Sequence, residues 1–262
     1  MSLKGRTAIV TGSASSEDGT AGVGRSVALK LGALGCNVVV NYGTNRKGKK
    51  VAAQAQRVAR AIEQSGGQAI VIEADIRDAE QVAAMVKETA KRFRKVDILV
   101  NNAGGGWEPR DIASVSTDYW DSCLHAEADG AFYAIREVLP GMRRRGWGRI
   151  VNIGYTDALL RDKLGEDDVP YTLGKAARTW LSRVLHGEAK RGVTVNAVEI
   201  TLVEHVQLAE ALALLKGDRG RFPTTRLTPH DVAEVVAWLC SDEARFVSGA
   251  VIPVPCQNIG KQ

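Results

Sequence analysis

Aromatic residues are scarce, 5% of the 262. None is interleaved with the two basic clusters, Arg46-Lys47-Gly48-Lys49-Lys50 and Arg143-Arg144-Arg145. A base-stacking platform is therefore missing, and the net charge of +5 belongs to solvated helix ends; no nucleic-acid partner is expected. Cysteine is confined to Cys36, Cys123, Cys240 and Cys256, far apart and without metal-ligand spacing. That pattern excludes a disulfide framework and a thiolate metal centre, and predicts free thiols in a reducing compartment. No run of 18 or more apolar residues occurs, which excludes a helical membrane span. The chain passes almost at once into a strand-like run, so no secretory signal is expected and the cytoplasm is the expected location. Repeats, low-complexity segments and linker-like boundaries are also lacking. With 45% hydrophobic residues, one domain spanning 1–262 can bury a single large core.

What is present is an alternation of two periods. Short β-branched runs lie at Thr7–Thr11, Asn37–Tyr42, Ala69–Glu73, Ile98–Asn101, Arg149–Ile153, Thr194–Val198 and Ala250–Val254. Helical periods lie between them at Gly24–Leu34, Lys49–Ser65, Ala79–Phe93, Thr117–Leu139, Tyr171–Arg191 and Asp231–Leu239. Strands such as Ile98-Leu99-Val100 are apolar on both faces, as in a sheet covered on both sides. The pattern predicts an α/β fold, a Rossmann-type doubly wound parallel sheet of about seven strands. Thr228, Pro229 and Asp231 mark a helix start: cap, first position and first-turn acid. Residues 201–223 break the rhythm and are expected to form a small lid over the ligand crevice, apolar on one face through Leu208, Leu212 and Leu215. That face suits an apolar small-molecule substrate or simple core packing.

Two features carry chemistry. The first strand runs into Gly12, and Gly22-Val23-Gly24 opens the next helix. Glycines there let backbone approach a pyrophosphate whose charge sits on the helix N-terminus. Tyr171 and Lys175, four apart on a helix, point the same way. A nearby cation draws a tyrosine pKa from about 10 toward working pH, making Tyr171 a proton donor or acceptor at a carbonyl or alcohol oxygen.

The order of motifs resembles the short-chain dehydrogenase/reductase family over essentially the whole chain. They are the glycine loop, Ala74-Asp75-Ile76, Asn101-Asn102-Ala103-Gly104, Gly148–Ile153, Tyr171-x3-Lys175 and the tail Phe246–Val254. The resemblance implies an NAD(P)-dependent oxidoreductase, similar to 3-oxoacyl-carrier-protein reductases. It implies a cofactor site of Gly12, Ser13, Gly22, Val23, Gly24, Asn41, Tyr42, Arg46, Asp75, Ile76, Asn102, Ala103 and Gly104. Within it Asp75 meets the adenine, Lys175 the nicotinamide ribose, and Tyr171 is the acid/base. No carboxylate ends the second strand, where Asn41-Tyr42-Gly43-Thr44-Asn45-Arg46 stands. A carboxylate there would take a ribose 2′-hydroxyl, whereas arginine suits a 2′-phosphate. NADP (as NADPH) is therefore expected over NAD. Family resemblance also implies a homo-oligomer, tetramer or dimer.

The chain departs from the family at the pair's helpers. Gly154-Tyr155-Thr156-Asp157 stands where a serine usually follows the fifth strand, and no serine occurs between Met142 and Tyr171. Tyr155 or Thr156 is the substitute donor, or Tyr155 only fills the space. Glu127 replaces the helix asparagine; its carboxylate either holds the water linking Lys175 to solvent or pairs with Lys175 and blunts its pull on Tyr171. Asn196-Ala197-Val198-Glu199-Ile200-Thr201 lacks the usual Pro-Gly. Nine residues separate Gly12 from Gly22, more than usual and as in the enoyl-reductase branch. The expected activity is hydride transfer between nicotinamide and a carbonyl or alcohol. The alternatives are reduction of an enoyl C=C bond, or cofactor binding with little turnover.

Overall fold

The strands form where β-branched runs can be buried on both faces. In the computed structural model, which describes residues 1–16, 18–43, 51–155, 168–189, 192–201, 203–223 and 226–254, these are β1 (Thr7–Val10), β2 (Asn37–Tyr42), β3 (Gln68–Glu73), β4 (Ile98–Asn101), β5 (Gly148–Tyr155), β6 (Val193–Ile200) and β7 (Val251–Val254). They make one parallel sheet in the order β3-β2-β1-β4-β5-β6-β7. Side chains alternate across it. Ile9, Val39, Leu99 and Ile150 face one apolar layer, and Val10, Val38, Val40 and Val100 face the other. Each such fully buried side chain contributes roughly 1.5–3 kcal/mol. This is the expected Rossmann-type α/β sheet. The order reverses around β1 and β4, so the crevice for a ligand lies at the carboxyl ends of these strands.

The helices are α1 (Val23–Ala33), α2 (Ala52–Gln64), α3 (Ala79–Phe93), α4 (Thr117–Leu124), α5 (Gly130–Arg145), α6 (Val169–Ala189), α7 (Leu208–Leu215) and α8 (Pro229–Cys240). Asp78 caps α3 by accepting from the Glu80 and Gln81 N–H groups. Thr228 and Asp231 cap α8 reciprocally, with Pro229 in the first turn, as the sequence predicts.

Two differences from expectation have physical causes. The helix predicted over Thr117–Leu139 is divided by a π turn at His125–Asp129 and then continues through Pro140 to Arg145. Proline in a helix forfeits one backbone bond, but Val138, Leu139 and Met142 are buried on the same turns, and their packing outweighs that loss. Within 201–223, the face of α7 joins the core: Ala211 and Leu214 are buried, and Leu208, Leu212 and Leu215 pack against the same cluster. The segment is tied to the glycine loop by paired backbone bonds between Ala21 and Val206. Among its described residues, Thr201, Val203 and His205 reach the crevice.

Candidate active site

A cleft of about 870 Å³ opens at the carboxyl ends of the strands, running from Gly12, Gly22 and Gly24 past Asp75 and Asn102–Gly106 to Tyr155, Tyr171 and Lys175. Its first wall is the loop between β1 and α1. Gly12 sits at φ +61°, and a Cβ there would lie 2.9 Å from Ala103 Cα. That left-handed position and close approach need glycine. Gly24 is packed against the Asn102 amide and the Gly12 carbonyl, leaving no room for a side chain. The α1 N-terminus at Gly22 has no side-chain cap, so its backbone donors remain suited to an anion in the cleft. These features fit the diphosphate of a dinucleotide.

Some expected cofactor residues serve the loop itself. Asn41 accepts from Gly12 N–H at 3.1 Å and donates to Ala74 O at 3.1 Å. Ser13 is fully buried, donating to Val10 O and accepting from Asn41 N–H. Tyr42 donates to Glu73 at 3.2 Å. Ser13 and Tyr42 do not line the cleft; Gly43 does. Asn102 donates to Thr11 O and Gly12 O, stapling the β4 turn to the β1 turn. Ala103 and Gly104 follow along the floor, and Val23 and Ile76 lie on the walls. Asp75 is gripped by Arg77 at 2.6 Å, and that partner holds its carboxyl below the ordinary range. Arg46 and Thr156 lie outside the described residues.

Sequence reasoning missed Arg25, which is fully buried and donates to Ser15 Oγ at 2.6 Å, Gly19 O at 2.8 Å and Val206 O. Burial lowers its pKa to about 10. It clamps the glycine loop to the 201–223 segment. A basic residue straight after Gly24 was the available signal, but it reads as surface charge until the loop closes over it.

At the reactive end, Lys175 Nζ lies 5.4 Å from the centre of the Tyr171 ring, and the Tyr155 ring meets Tyr171 edge-on at 5.7 Å. Lys175 is 6% exposed. Burial lowers its pKa to about 8, while Glu127 beside it opposes the fall. Glu127 Oε2 is 3.2 Å from Lys175 Nζ and 3.0 Å from Arg178. The expected fall in the Tyr171 pKa is not found. Burial, with the negative charge of Glu127, pushes it above its ordinary value, and Arg178 opposes them only in part. Of the two readings for Glu127, pairing with Lys175 is the one this geometry contains.

Asp168 is a further residue that spacing alone did not assign. It is fully buried at the start of α6 and accepts from Tyr171 N–H at 3.1 Å, Glu108 N–H at 2.5 Å and the Tyr119 hydroxyl. Tyr171 is thereby held on a capped helix end and tied to the loop after β4.

Sequence comparison completes the assignment. The profile of the family described as enoyl-(acyl carrier protein) reductase matches residues 19–256. The 3-oxoacyl-[acyl-carrier-protein] reductase of Staphylococcus aureus is 31% identical over 255 residues, 95% of this chain and 96% of that protein. This chain belongs to the short-chain dehydrogenase/reductase family. It is an oxidoreductase of that family. The 3beta-hydroxysteroid dehydrogenase 1 of Eggerthella lenta is 33% identical over 260 residues, 95% of this chain and 92% of that protein. A solved short-chain dehydrogenase/reductase from Burkholderia xenovorans superposes with TM-score 0.80 at 30% identity, covering 96% of this chain and 95% of its own. Among the described residues of this family member, no cluster of metal-ligating side chains occurs and no helix is long and apolar enough to cross a membrane. Cys36, Cys123 and Cys240 are buried and unbridged; Cys256 is outside the described residues.

Proposed function

We propose that this protein is an NADPH-preferring reductase of carbonyl compounds, acting in the reverse sense on alcohols. The observation that carries the reading is the convergence of Tyr171, Lys175 and Tyr155 at one end of a cleft whose other end is the glycine loop. When bound, the nicotinamide supplies or accepts the hydride. Gly12, Gly22, Val23 and Gly24 would hold its diphosphate, Asp75 and Ile76 its adenine, Asn102 to Gly104 the groove floor, and Lys175 its ribose. Preference for the 2′-phosphate is supported by the missing carboxylate at the end of β2 and by Arg46 in the sequence.

A raised Tyr171 pKa means that the residue rests as a neutral phenol, the form that can give a proton to a developing alkoxide. Lys175, at about 8, is mostly charged at neutral pH and favours the phenolate left behind. In this reading Tyr155 would donate to the same oxygen, with Thr156, next in the sequence, as the alternative hydroxyl. Relatives whose names specify a 3-oxoacyl reductase and a 3β-hydroxysteroid dehydrogenase support an oxygen-bearing carbon as the reacting centre. The protein is proposed to be a cytoplasmic homo-oligomer acting on a small molecule whose class the assay identifies.

The test is fluorescence titration with NADPH and NADH, followed by a panel of ketones, enones and enoyl thioesters scored by cofactor oxidation. Ketone-dependent oxidation that disappears in Tyr171→Phe, with NADPH binding intact, is the expected result. Turnover confined to enoyl thioesters would replace the reading with C=C reduction. Tight binding with no turnover would make it a cofactor-binding protein, an outcome the Lys175–Glu127 ion pair favours.

A further inference from the structure

The guanidinium of Arg178 is 1% exposed and almost completely engaged. Its Nε donates to Glu127 O at 2.8 Å, and Nη2 donates to Ala103 O at 2.6 Å and Ala126 O at 2.9 Å. The same Nη2 lies 3.0 Å from Glu127 Oε2. Arg178 stands three residues after Lys175 and seven after Tyr171 on α6, so the three share one helix face. Across from it, the π turn presents the Ala126 and Glu127 carbonyls, and the turn after β4 presents that of Ala103. Arg178 therefore joins the cleft floor, the π turn and the Tyr171 helix through one side chain.

Glu127 is equally fixed. It is fully buried, and its Oε1 accepts from Gly105 N–H at 2.8 Å. Gly104 and Gly174 provide its space: a Cβ at Gly104 would strike Oε1, and one at Gly174 would lie 2.7 Å from Glu127 Cβ. Its second oxygen bridges two cations, Arg178 at 3.0 Å and Lys175 at 3.2 Å. Among the described residues, the Tyr171 phenol faces Lys175 from its own helix, the Tyr155 ring lies against Tyr171 from the end of β5, and Lys175 Nζ donates to Ile153 O at 3.4 Å. A buried carboxylate with a single cation would leave that cation neutralised; with two, the cluster keeps one net positive charge.

We propose that Arg178 is a positioning residue of this site: it fixes Glu127 and shares its charge, so that the ion pair with Glu127 only partly compensates the Lys175 cation beside Tyr171. The proposal rests on the reading that Tyr171 and Lys175 carry the proton transfer. In this chain the carboxylate at position 127 and the guanidinium at position 178 work as one unit. The carboxylate keeps a deeply buried lysine protonated, and the guanidinium limits how far that carboxylate cancels the lysine's field.

The experiment is a pH titration of the Lys175 13Cε resonance in lysine-labelled full-length protein, assigned by its loss in Lys175→Arg. The wild-type midpoint is expected near the value of about 8. Arg178→Met frees Glu127 for Lys175 alone and should raise the midpoint by about one pH unit; Glu127→Gln should lower it by a similar amount. Arg178→Lys keeps the charge and should titrate close to wild type. Should Arg178→Met fail to fold, the double variant Glu127→Gln/Arg178→Met, which leaves neither partner charged, should still fold and titrate below wild type. Midpoints that coincide across the folded variants overturn the proposal and leave Arg178 a scaffold only. In the kinetic arm, the pH limb of kcat for a panel substrate should move with the Lys175 midpoint. An absence of turnover would refute the proposed reaction, while the resonance titration would still decide the role of Arg178.

Discussion

Replacing Asp168 by alanine should detach the start of α6 from the rest of the site. The carboxylate accepts the Tyr171 N–H, the Glu108 N–H and the Tyr119 hydroxyl, and none of it is exposed. Loss of a helix cap costs about 1 kcal/mol. Leaving the Glu108 N–H without its charged acceptor costs about 1.5–3 kcal/mol. The Tyr119 hydroxyl retains Gly106 O at 3.2 Å, so its share is smaller. The total is roughly 3–4 kcal/mol. For a chain of this size each kcal/mol lowers Tm by about 2–4 °C, so Asp168→Ala should melt about 6–16 °C below wild type. Calorimetry on the full-length protein measures this, with Tyr119→Phe as the partner variant, expected to lose about 1 kcal/mol. Because the cap sets the position of Tyr171, kcat should fall more than NADPH affinity. A drop below about 3 °C, or equal effects of the two variants, would refute the reasoning that Asp168 gathers three donors rather than one.

Three further outcomes are expected. Lys175 is buried, with its pKa lowered to about 8 from 10.5, so the unfolded chain binds more protons between those values and wild-type stability should rise with pH from about 8 to 10.5. Denaturant melts of Lys175→Met should lack that component; a wild-type minus variant difference flat over this window would contradict it. Arg25→Met removes the donor to Ser15 and Gly19 and one of two donors to Val206 O, which keeps the Ala21 N–H, and should lower stability by about 2–3 kcal/mol. It should also weaken NADPH binding, since the loop is no longer clamped, and unchanged titration curves would show that the loop holds its shape alone. Gly24→Ala places a methyl 2.5 Å from Gly12 O and against the Asn102 amide. The strain and lost bonds should weaken cofactor binding by roughly tenfold or more, at about 1.4 kcal/mol per tenfold, and wild-type affinity in this variant would sink the glycine-loop assignment.

Local periodicity was enough to read the strands, most helices and the parallel character of the sheet, because strands buried on both faces must be apolar throughout and crossover helices must present one apolar face. The cap at Thr228 was legible for a similar reason: its chemistry lies within four neighbouring residues. Tyr171 and Lys175 could be paired from spacing, since a helix brings i and i+4 together wherever it sits. Helix continuation past Pro140 was not legible, as it depends on what Val138, Leu139 and Met142 pack against.

The sequence by itself determined the α/β architecture, the glycine loop and the Tyr171–Lys175 pair, all of which rest on contacts between near neighbours or on one repeating period. Tertiary structure alone decided the electrostatics of the pair. Glu127 and Arg178 come from segments 51 residues apart and meet beside Lys175 only because the π turn packs against α6. Burial there raises the Tyr171 pKa where an isolated tyrosine and lysine would lower it. A pKa depends on which charges share a dry volume, and that arrangement is set by packing across the whole domain.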